Sequence, residues 1–252
     1  MDKTFSPATQ PKAVLFDAYG TLFDVYSVAL LAEQLFPGDG QRLSVMWRDK
    51  QIEYTRLVTT CNHGAHYQPF WNITEAALRY AIKIVAAYAY KSLPPAQFDT
   101  EILSPAVQKL MNQYRHLSAF PENKDVLQAL QSKGIPTGIL SNGDTAMLDV
   151  AVKSAGLDGL LQHLISVDPI RKFKTHPDAY ALGEKVTGCK AKDVLFVSSN
   201  AWDALAATWY GYQTLWVNRA GLPFEELGTT PGQVTQPTRV GANLRDVLSF
   251  FP

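Results

Sequence analysis

The chain has 252 residues, 23 of them basic and 23 acidic, so its formal net charge is zero. This balance argues against nucleic acid or an anionic membrane surface as the main partner, and no apolar run approaches the roughly 18 residues that a membrane span needs. Because there are two cysteines, and residues 1–12 resemble a short flexible tail without the apolar centre of a secretory signal, we expect a cytoplasmic protein without disulfides.

The first predicted element is a buried strand, "AVLF" (13–16), formed by an unbroken apolar run. It runs directly into Asp17, with Tyr19 two residues further on. An acidic residue at the end of a buried strand is either a helix N-cap or part of a functional site. The residues in the rest of the chain are needed to distinguish these two interpretations.

About 90 residues of a different character follow this strand. Four segments have the spacing of amphipathic helices without strands between them, and prolines punctuate the whole stretch. The segments are "SVALLAEQLF", "RLSVMWRDKQIEYTRLV", "NITEAALRYAIKIVAAYAY" and "PAVQKLMNQYRHL". We predict an all-helical cap domain, residues 26–117, inserted into a core domain formed by residues 1–25 and 118–252.

From about residue 120 to residue 217, short apolar runs alternate with helical patterns that each end at a glycine. Strands that alternate with helices indicate βαβ units, so we predict an α/β fold with a doubly wound, Rossmann-like parallel sheet. Residues 229–241, rich in Thr, Pro, Gly and Gln, are predicted as loop, and "NLRDVLSFF" as a short closing helix. The predicted strands are "IPTGILS" (135–141), "HLISV" (163–167), "DVLFVSS" (193–199) and "QTLWV" (213–217).

Polar side chains follow several of these predicted strands. Parallel strands point their carboxyl ends at one edge of the sheet, where ligands of open α/β sheets bind. Taken singly, each polar residue has an ordinary structural role, as a helix N-cap, a solvated lysine or, for Asp203, a first-turn acid. Together they indicate one site, formed by Asp17, Ser141, Asn142, Lys174, Ser198, Ser199 and Asn200.

Four stretches of the chain resemble, in order and spacing, the four motifs of the haloacid dehalogenase superfamily. They are "FDAYGTLFD", "SNGD", the lysine before "PDAY", and "VSSNAWDA". Within the superfamily the chain is similar to the L-2-haloacid dehalogenases, from about Lys12 to Leu227 and including the "WRDKQIEYT" stretch of the cap. The resemblance implies an enzyme that acts on short-chain 2-haloacids, and a homodimer.

Two positions separate this chain from the phosphatases of the superfamily. Those enzymes place a second aspartate two residues after the nucleophile, as the acid for a leaving alkoxide, whereas this chain has Tyr19. A halide leaves as a weak base and needs no proton. The phosphatases also hold Mg²⁺ with acidic side chains in the fourth motif, where this chain has Ser198-Ser199-Asn200 and keeps only Asp203. We therefore predict a reaction without a metal and without a cofactor.

The resemblance implies a two-step reaction at Asp17. Its carboxylate attacks the halogen-bearing carbon of an (S)-2-haloacid, expels halide with inversion and becomes an ester. Water then hydrolyses the ester, which yields the (R)-2-hydroxy acid and restores the carboxylate. Lys174 would keep Asp17 ionised, and Asp203 would position or activate the water. Supporting hydrogen bonds are assigned to Thr21, Tyr180, Ser198 and Asn200.

The resemblance also assigns the binding of substrate and halide. Ser141, with backbone N–H groups of the turn at Ala18 and Tyr19, would hold the substrate carboxylate. Arg48 in the cap resembles the halide-abstracting arginine of the family, although an isolated arginine on a helix is ordinarily a surface residue. The halide cradle would be completed by Asn142 and Trp202, and the apolar wall is assigned to Ile52, Phe70 and Trp71.

Two alternatives stay open. One is a phosphatase or phosphotransferase on the same fold, and the other is a non-catalytic relative that keeps only the scaffold. A further departure is the loop "CNHGAHYQ" (61–68), whose Cys61, His63 and His66 weakly suggest a metal site. Side-chain identity alone predicts neither the preferred halogen nor the preferred chain length.

Overall fold

The core is an open parallel β-sheet of six strands, ordered β3-β2-β1-β4-β5-β6, in the computed structural model. The structure describes residues 9–87, 89–229 and 235–252, so the predicted tail lies mostly outside the described residues. The sheet confirms the predicted α/β class. Its strands are β1 (Ala13–Phe16), β2 (Thr137–Ser141), β3 (His163–Ser166), β4 (Val194–Ser198), β5 (Gln213–Val217) and β6 (Arg239–Gly241).

Every residue of β1, β2, β4 and β5 is buried. The sequence of a strand in a parallel sheet is a continuous apolar run because helices cover both faces of such a sheet. Gly188 and Gly211 follow two of these helices in the left-handed conformation, which glycine adopts without a steric penalty. The helices of the core are α6 (Asn123–Ser132), α7 (Thr145–Ser154), α8 (Pro177–Thr187) and α9 (Ala201–Tyr210).

The strand order reverses at β1, which pairs with β2 on one side and with β4 on the other. In doubly wound sheets the crevice beyond the carboxyl ends of the strands at such a reversal is where ligands bind. Asp17 is the residue directly after β1. The fold therefore places the lone carboxylate of the sequence at the topological switch point.

The segment between β1 and α6 contains helices but no strand over residues 26–87 and 89–117. The chain enters and leaves this segment side by side: Phe23 pairs with Ala119, and the Asp24 N–H donates to the Ser118 carbonyl at 2.9 Å. This geometry agrees with an insertion, and we propose residues 26–117 as the cap. Its helices are α1 (Ala29–Leu35), α2 (Gly40–Thr60), α3 (Phe70–Ala86), α4 (Pro95–Phe98) and α5 (Ser104–Arg115).

The prediction of a loop over residues 229–241 is wrong at its end, because Arg239–Gly241 forms β6 beside β5. Two of its three residues are exposed, so an edge strand this short has no apolar pattern that a sequence could reveal. Residues 230–234 of that prediction lie outside the described residues. The closing helix is a 3₁₀ helix, Leu244–Phe250, capped by Asn243.

No described helix combines the length and the apolar character needed to cross a membrane.

Candidate active site

Asp17 is buried, with 6% of its surface exposed, and both of its carboxylate oxygens have partners. Oδ1 lies 3.1 Å from the Lys174 Nζ. Oδ2 accepts hydrogen bonds from the Thr21 hydroxyl at 3.0 Å and from the Asn200 amide at 2.8 Å. One cation and two neutral donors, from three separate loops, therefore fix the orientation of this carboxylate.

Lys174 lies in the loop after β3 and is 1% exposed. Its Nζ lies between two carboxylates, 3.1 Å from Asp17 and 3.0 Å from Asp203. Burial alone would lower the pKa of this amine, but the negative charges of Asp17 and Asp203 outweigh it and raise the pKa above the ordinary lysine value. The ammonium form is thus the stable one at neutral pH.

Asp203, on the first turn of α9, is the second carboxylate beside the Lys174 amine and is fully buried. Its Oδ1 accepts a hydrogen bond from the Tyr180 hydroxyl at 2.7 Å, and its Oδ2 accepts one from the Ser198 hydroxyl at 3.2 Å. Burial raises the pKa of the Asp203 carboxyl, although the Lys174 ammonium opposes the shift. Burial also raises the pKa of Tyr180 far above its usual value, so the phenol acts as a donor.

Arg48 reaches the loop after β1 from helix α2 of the cap. Its guanidinium donates to the Tyr19 carbonyl at 3.0 Å, to the Asn200 Oδ1 at 3.2 Å and to the Gln51 Oε1 at 2.6 Å. Helix α2 is held against α3 by the Trp47 indole, which donates to the Thr74 carbonyl at 2.8 Å. This bond helps to fix the turn of α2 that carries Arg48, the residue after Trp47.

A cavity of about 1040 Å³ lies between α2 of the cap and helices α8 and α9 of the core. Of the predicted site residues, five line it: Arg48, Ile52, Tyr180, Asn200 and Trp202. Asp17 does not line the cavity, but Asn200, which donates to its carboxylate, does, and Asn200 also accepts a hydrogen bond from Arg48. The carboxylate is thus one side chain away from the cavity wall.

Other predicted binding residues lie away from this cavity. Tyr19 packs in an aromatic cluster, with ring centroids 5.7 Å from Phe70 and 5.5 Å from Tyr114. Ser141 is fully buried and accepts a hydrogen bond from the Gly143 N–H at 3.0 Å. The remaining four are Phe70, which is buried beside Tyr19, Ala18, which is fully buried, Asn142, whose Oδ1 accepts from the Lys174 N–H at 2.8 Å, and Trp71, whose ring faces Arg115. Their roles in binding stay predictions.

The side chains of Cys61, His63 and His66 are all exposed and form no cluster. Among the described residues, no group of three or more His, Cys, Asp and Glu side chains is placed to hold a metal ion. The structure therefore lends no support to the weak suggestion of a metal site in this loop.

Two residues that position the site are not predicted from the sequence. Gln51 stands three residues after Arg48 on the same helix, a spacing that could have indicated the contact. Arg219 donates to the Ser199 hydroxyl at 2.8 Å, to the Thr21 carbonyl at 3.2 Å and to Glu122 at 2.9 Å. No local sequence pattern predicts the contacts of Arg219, because its partners come from three distant loops.

Comparison with known proteins agrees with this geometry. The family model of the haloacid dehalogenase-like hydrolases matches residues 11–211. The (S)-2-haloacid dehalogenase of Pseudomonas sp. (strain YL) is 39% identical over 241 residues, which is 95% of this chain and 94% of the relative. The crystal structure of the L-2-haloacid dehalogenase RSc1362 superposes with a TM-score of 0.84 at 51% identity, covering 96% of this chain and 99% of the other.

A further crystal structure matches at a TM-score of 0.76 and 33% identity, covering 94% of this chain and 96% of the other. It is the L-2-haloacid dehalogenase of Xanthobacter autotrophicus with chloropropionic acid covalently bound. The similarity thus extends along nearly the whole chain and through both the core and the helical segment. The chain belongs to the haloacid dehalogenase-like hydrolases, and within them to the L-2-haloacid dehalogenase family.

Proposed function

We propose that this protein converts short-chain (S)-2-haloacids and water into (R)-2-hydroxy acids and halide. The observation that carries the proposal is the ammonium group of Lys174, bound 3.1 Å from a buried carboxylate at the switch point of the sheet. A carboxylate in that setting stays charged and oriented, as a nucleophile must. Family membership supports the same conclusion.

In the first step, Asp17 attacks the carbon that carries the halogen. A carbon–oxygen bond forms as the carbon–halogen bond breaks, and the bonding pair leaves with the halide, so the configuration inverts. Arg48 lines the cavity and bonds to the loop after β1, so its positive charge stabilises the departing anion. The covalently bound chloropropionic acid of the Xanthobacter relative supports an ester intermediate of this kind.

In the second step, water attacks the carboxyl carbon of the ester. The ester has no negative charge, so Lys174 is then paired with Asp203 alone. Asp203, whose pKa burial raises, takes the proton of the attacking water. The carbon–oxygen bond to the product breaks, and Asp203 returns its proton to the leaving alkoxide, which departs as the 2-hydroxy acid. The second proton of the water is released to solvent, and Asp17 is a carboxylate again.

The binding roles follow the resemblance. Ser141 and the turn at Ala18 and Tyr19 hold the substrate carboxylate, while Asn142 and Trp202 complete the cradle of the halide. Ile52 and Trp202 line the cavity and provide its apolar surface. Phe70 lies outside the cavity wall and contributes indirectly, by packing against Tyr19.

We propose that the reaction needs no metal. The Lys174 ammonium occupies the space between Asp17 and Asp203, the two carboxylates that a magnesium ion would require, and like charges repel. The phosphatase alternative also requires an acid at position 19. Burial raises the pKa of the Tyr19 hydroxyl well above its usual value, which makes it a poor proton donor to a leaving alkoxide.

The first test is halide release from L-2-chloropropionate in the presence of a chelator. We expect undiminished release, whereas loss of activity that Mg²⁺ restores would overturn the metal-free reaction. Hydrolysis of p-nitrophenyl phosphate with Mg²⁺ would favour the phosphatase. No turnover of any 2-haloacid would favour the non-catalytic relative.

The second test is a single turnover in H₂¹⁸O with enzyme in excess over substrate. We expect the label on Asp17, because water attacks the carboxyl carbon of the ester. Label on the hydroxy acid instead would mean direct attack of water on the substrate. Mass spectrometry of the peptide that contains Asp17 distinguishes the two outcomes.

A further inference from the structure

The loop that carries Lys174, residues 167–176, is held by the cap as well as by the core. From the core, the Asn142 side chain accepts a hydrogen bond from the Lys174 N–H at 2.8 Å. From the cap, the contact is made at Phe173, the residue before Lys174. Its N–H donates to the Thr59 hydroxyl at 3.1 Å, near the end of α2.

The Thr59 hydroxyl has a fixed orientation. It donates to the Thr55 carbonyl at 2.8 Å, one turn earlier in α2, and so presents a lone pair to the Phe173 N–H. Its neighbour Thr60 has the same local bond, to the Arg56 carbonyl at 2.8 Å, but it is exposed, and its hydroxyl forms no hydrogen bond with the described residues of the core. Of these two adjacent threonines, only Thr59 reaches the loop.

Tyr67 adds two contacts from the loop between α2 and α3. Its ring stacks on Phe173 with centroids 5.0 Å apart, and its hydroxyl donates to Asp168 at 2.7 Å. Phe70 closes the other side of Phe173, at 6.0 Å. The segment 61–68, unexplained by the sequence motifs, thus brings an aromatic side chain against the residue that precedes the lysine.

We infer that Thr59, Tyr67 and Phe70 form a clamp through which the cap positions Lys174 between Asp17 and Asp203. The inference rests on the proposed function, in which that ammonium group acts at the nucleophile. The three are positioning residues, because none of them contacts Lys174 Nζ, Asp17 or Asp203. The contacts that hold the cap against this loop therefore also align the Lys174 side chain.

Small displacements matter at this position. Lysine is a point charge on a flexible stem, and a misplacement of about 1 Å in a reacting group can lower a rate about 100-fold. The charged groups that face the amine are Asp17, after β1, and Asp203, on α9, with the Tyr180 hydroxyl of α8 behind Asp203. Moving the amine away from both carboxylates leaves burial unopposed, so its pKa falls.

The test compares Thr59→Val with the matched control Thr60→Val in halide release from L-2-chloropropionate. For Thr59→Val we expect kcat to fall on the order of 10-fold, KM to change less than about 2-fold, and the alkaline limb of kcat/KM to move to lower pH. Thr59→Ser, which keeps the hydroxyl, should restore both kcat and the limb. Tyr67→Ala should act like Thr59→Val, and Tyr67→Phe, which keeps the ring, should have a smaller effect.

Thermal unfolding of each variant shows whether it is folded at the assay temperature. The inference is overturned if folded Thr59→Val and Tyr67→Ala match Thr60→Val in both kcat and alkaline limb. It is also overturned if Thr59→Ser fails to restore them, since the hydroxyl would then not be the active feature. Failure of the proposed function is a separate result: the unmodified protein would release no halide at all.

Discussion

The two sides of the cavity are built differently. On the core side, Asp17, Lys174 and Asp203 are nearly inaccessible, and each of their charged atoms contacts a partner. On the cap side, Arg48 and Ile52 are half-buried and face the cavity from one helix. Buried charges are stable only when paired, so the core side has little freedom to change, whereas the cap side can vary at small cost to folding.

The largest effect is expected from Asp17→Asn on the core side. An amide is not a nucleophile here, so turnover should fall by at least about 10⁴-fold. Because Asn keeps the shape and an acceptor oxygen, the protein should still fold. Halide release measures the loss, and Asp24→Asn, a half-buried acid in the same connection, is the matched control. Substantial activity that remains after mass spectrometry excludes deamidation would contradict the assignment.

The next effect is expected from Lys174→Met, which leaves two buried carboxylates without their cation. Activity should fall about 10³-fold, and the free energy of unfolding should fall by about 3 to 5 kcal/mol at neutral pH. The control is Lys172→Met, because Lys172 is partly exposed and pairs with Asp178 at the surface. Urea unfolding at pH 7 checks the prediction. An unchanged unfolding free energy would mean that the ion pairs of Lys174 with Asp17 and Asp203 do not stabilise the core side.

Arg48→Lys tests the cap side. Lysine cannot reproduce the fork that reaches Tyr19, Asn200 and Gln51, so we expect about a 100-fold loss of kcat/KM. The unfolding free energy should change by less than about 0.5 kcal/mol, since the residue lies at the cavity. Arg42→Lys, on the same helix but paired with Asp39 at the surface, is the control. A large loss of stability would remove the contrast between the two sides.

The smallest effect is expected from the ion pair of Glu122 with Arg219, whose guanidinium also donates to Thr21 and Ser199 in the loops of the core side. Burial alone raises the pKa of the Glu122 carboxyl, but hydrogen bonds from Arg219 and from backbone N–H groups outweigh it and lower the pKa. A lowered pKa stabilises the folded protein above the unfolded value of about 4.3, and this contribution disappears as pH falls through the folded pKa.

Glu122→Gln should therefore cost about 1 kcal/mol of unfolding free energy at pH 7, and the difference from the unmodified protein should shrink at acidic pH. Chemical unfolding as a function of pH measures both. Glu101→Gln, an exposed acid of the cap, should show no such dependence. A difference that grows toward acidic pH would have the wrong sign for this ion pair.

Much of the molecule could be predicted because its signals are local. Strands β1 to β5 and the helices between them follow from period and apolar runs, and the motifs place Asp17, Lys174, Asn200 and Asp203 at one edge of the sheet. Edge strand β6 could not be predicted, because its pairing depends on the position of β5 rather than on its own side chains. The same holds for Arg219, whose three partners are separated from it by long stretches of chain.

The sequence by itself determined the α/β fold, predicted the helices between β1 and α6, and indicated the charged residues of the candidate site, since hydrophobic period and motif order are properties of the chain alone. Only the tertiary structure decided which groups touch: Lys174 between two carboxylates, Arg48 on the cavity wall, Ser141 and Phe70 behind it, and Thr59 and Tyr67 against Phe173. The physical reason is that a hydrogen bond or a ring contact depends on distances of a few ångströms, and these are set by how distant helices and loops pack together.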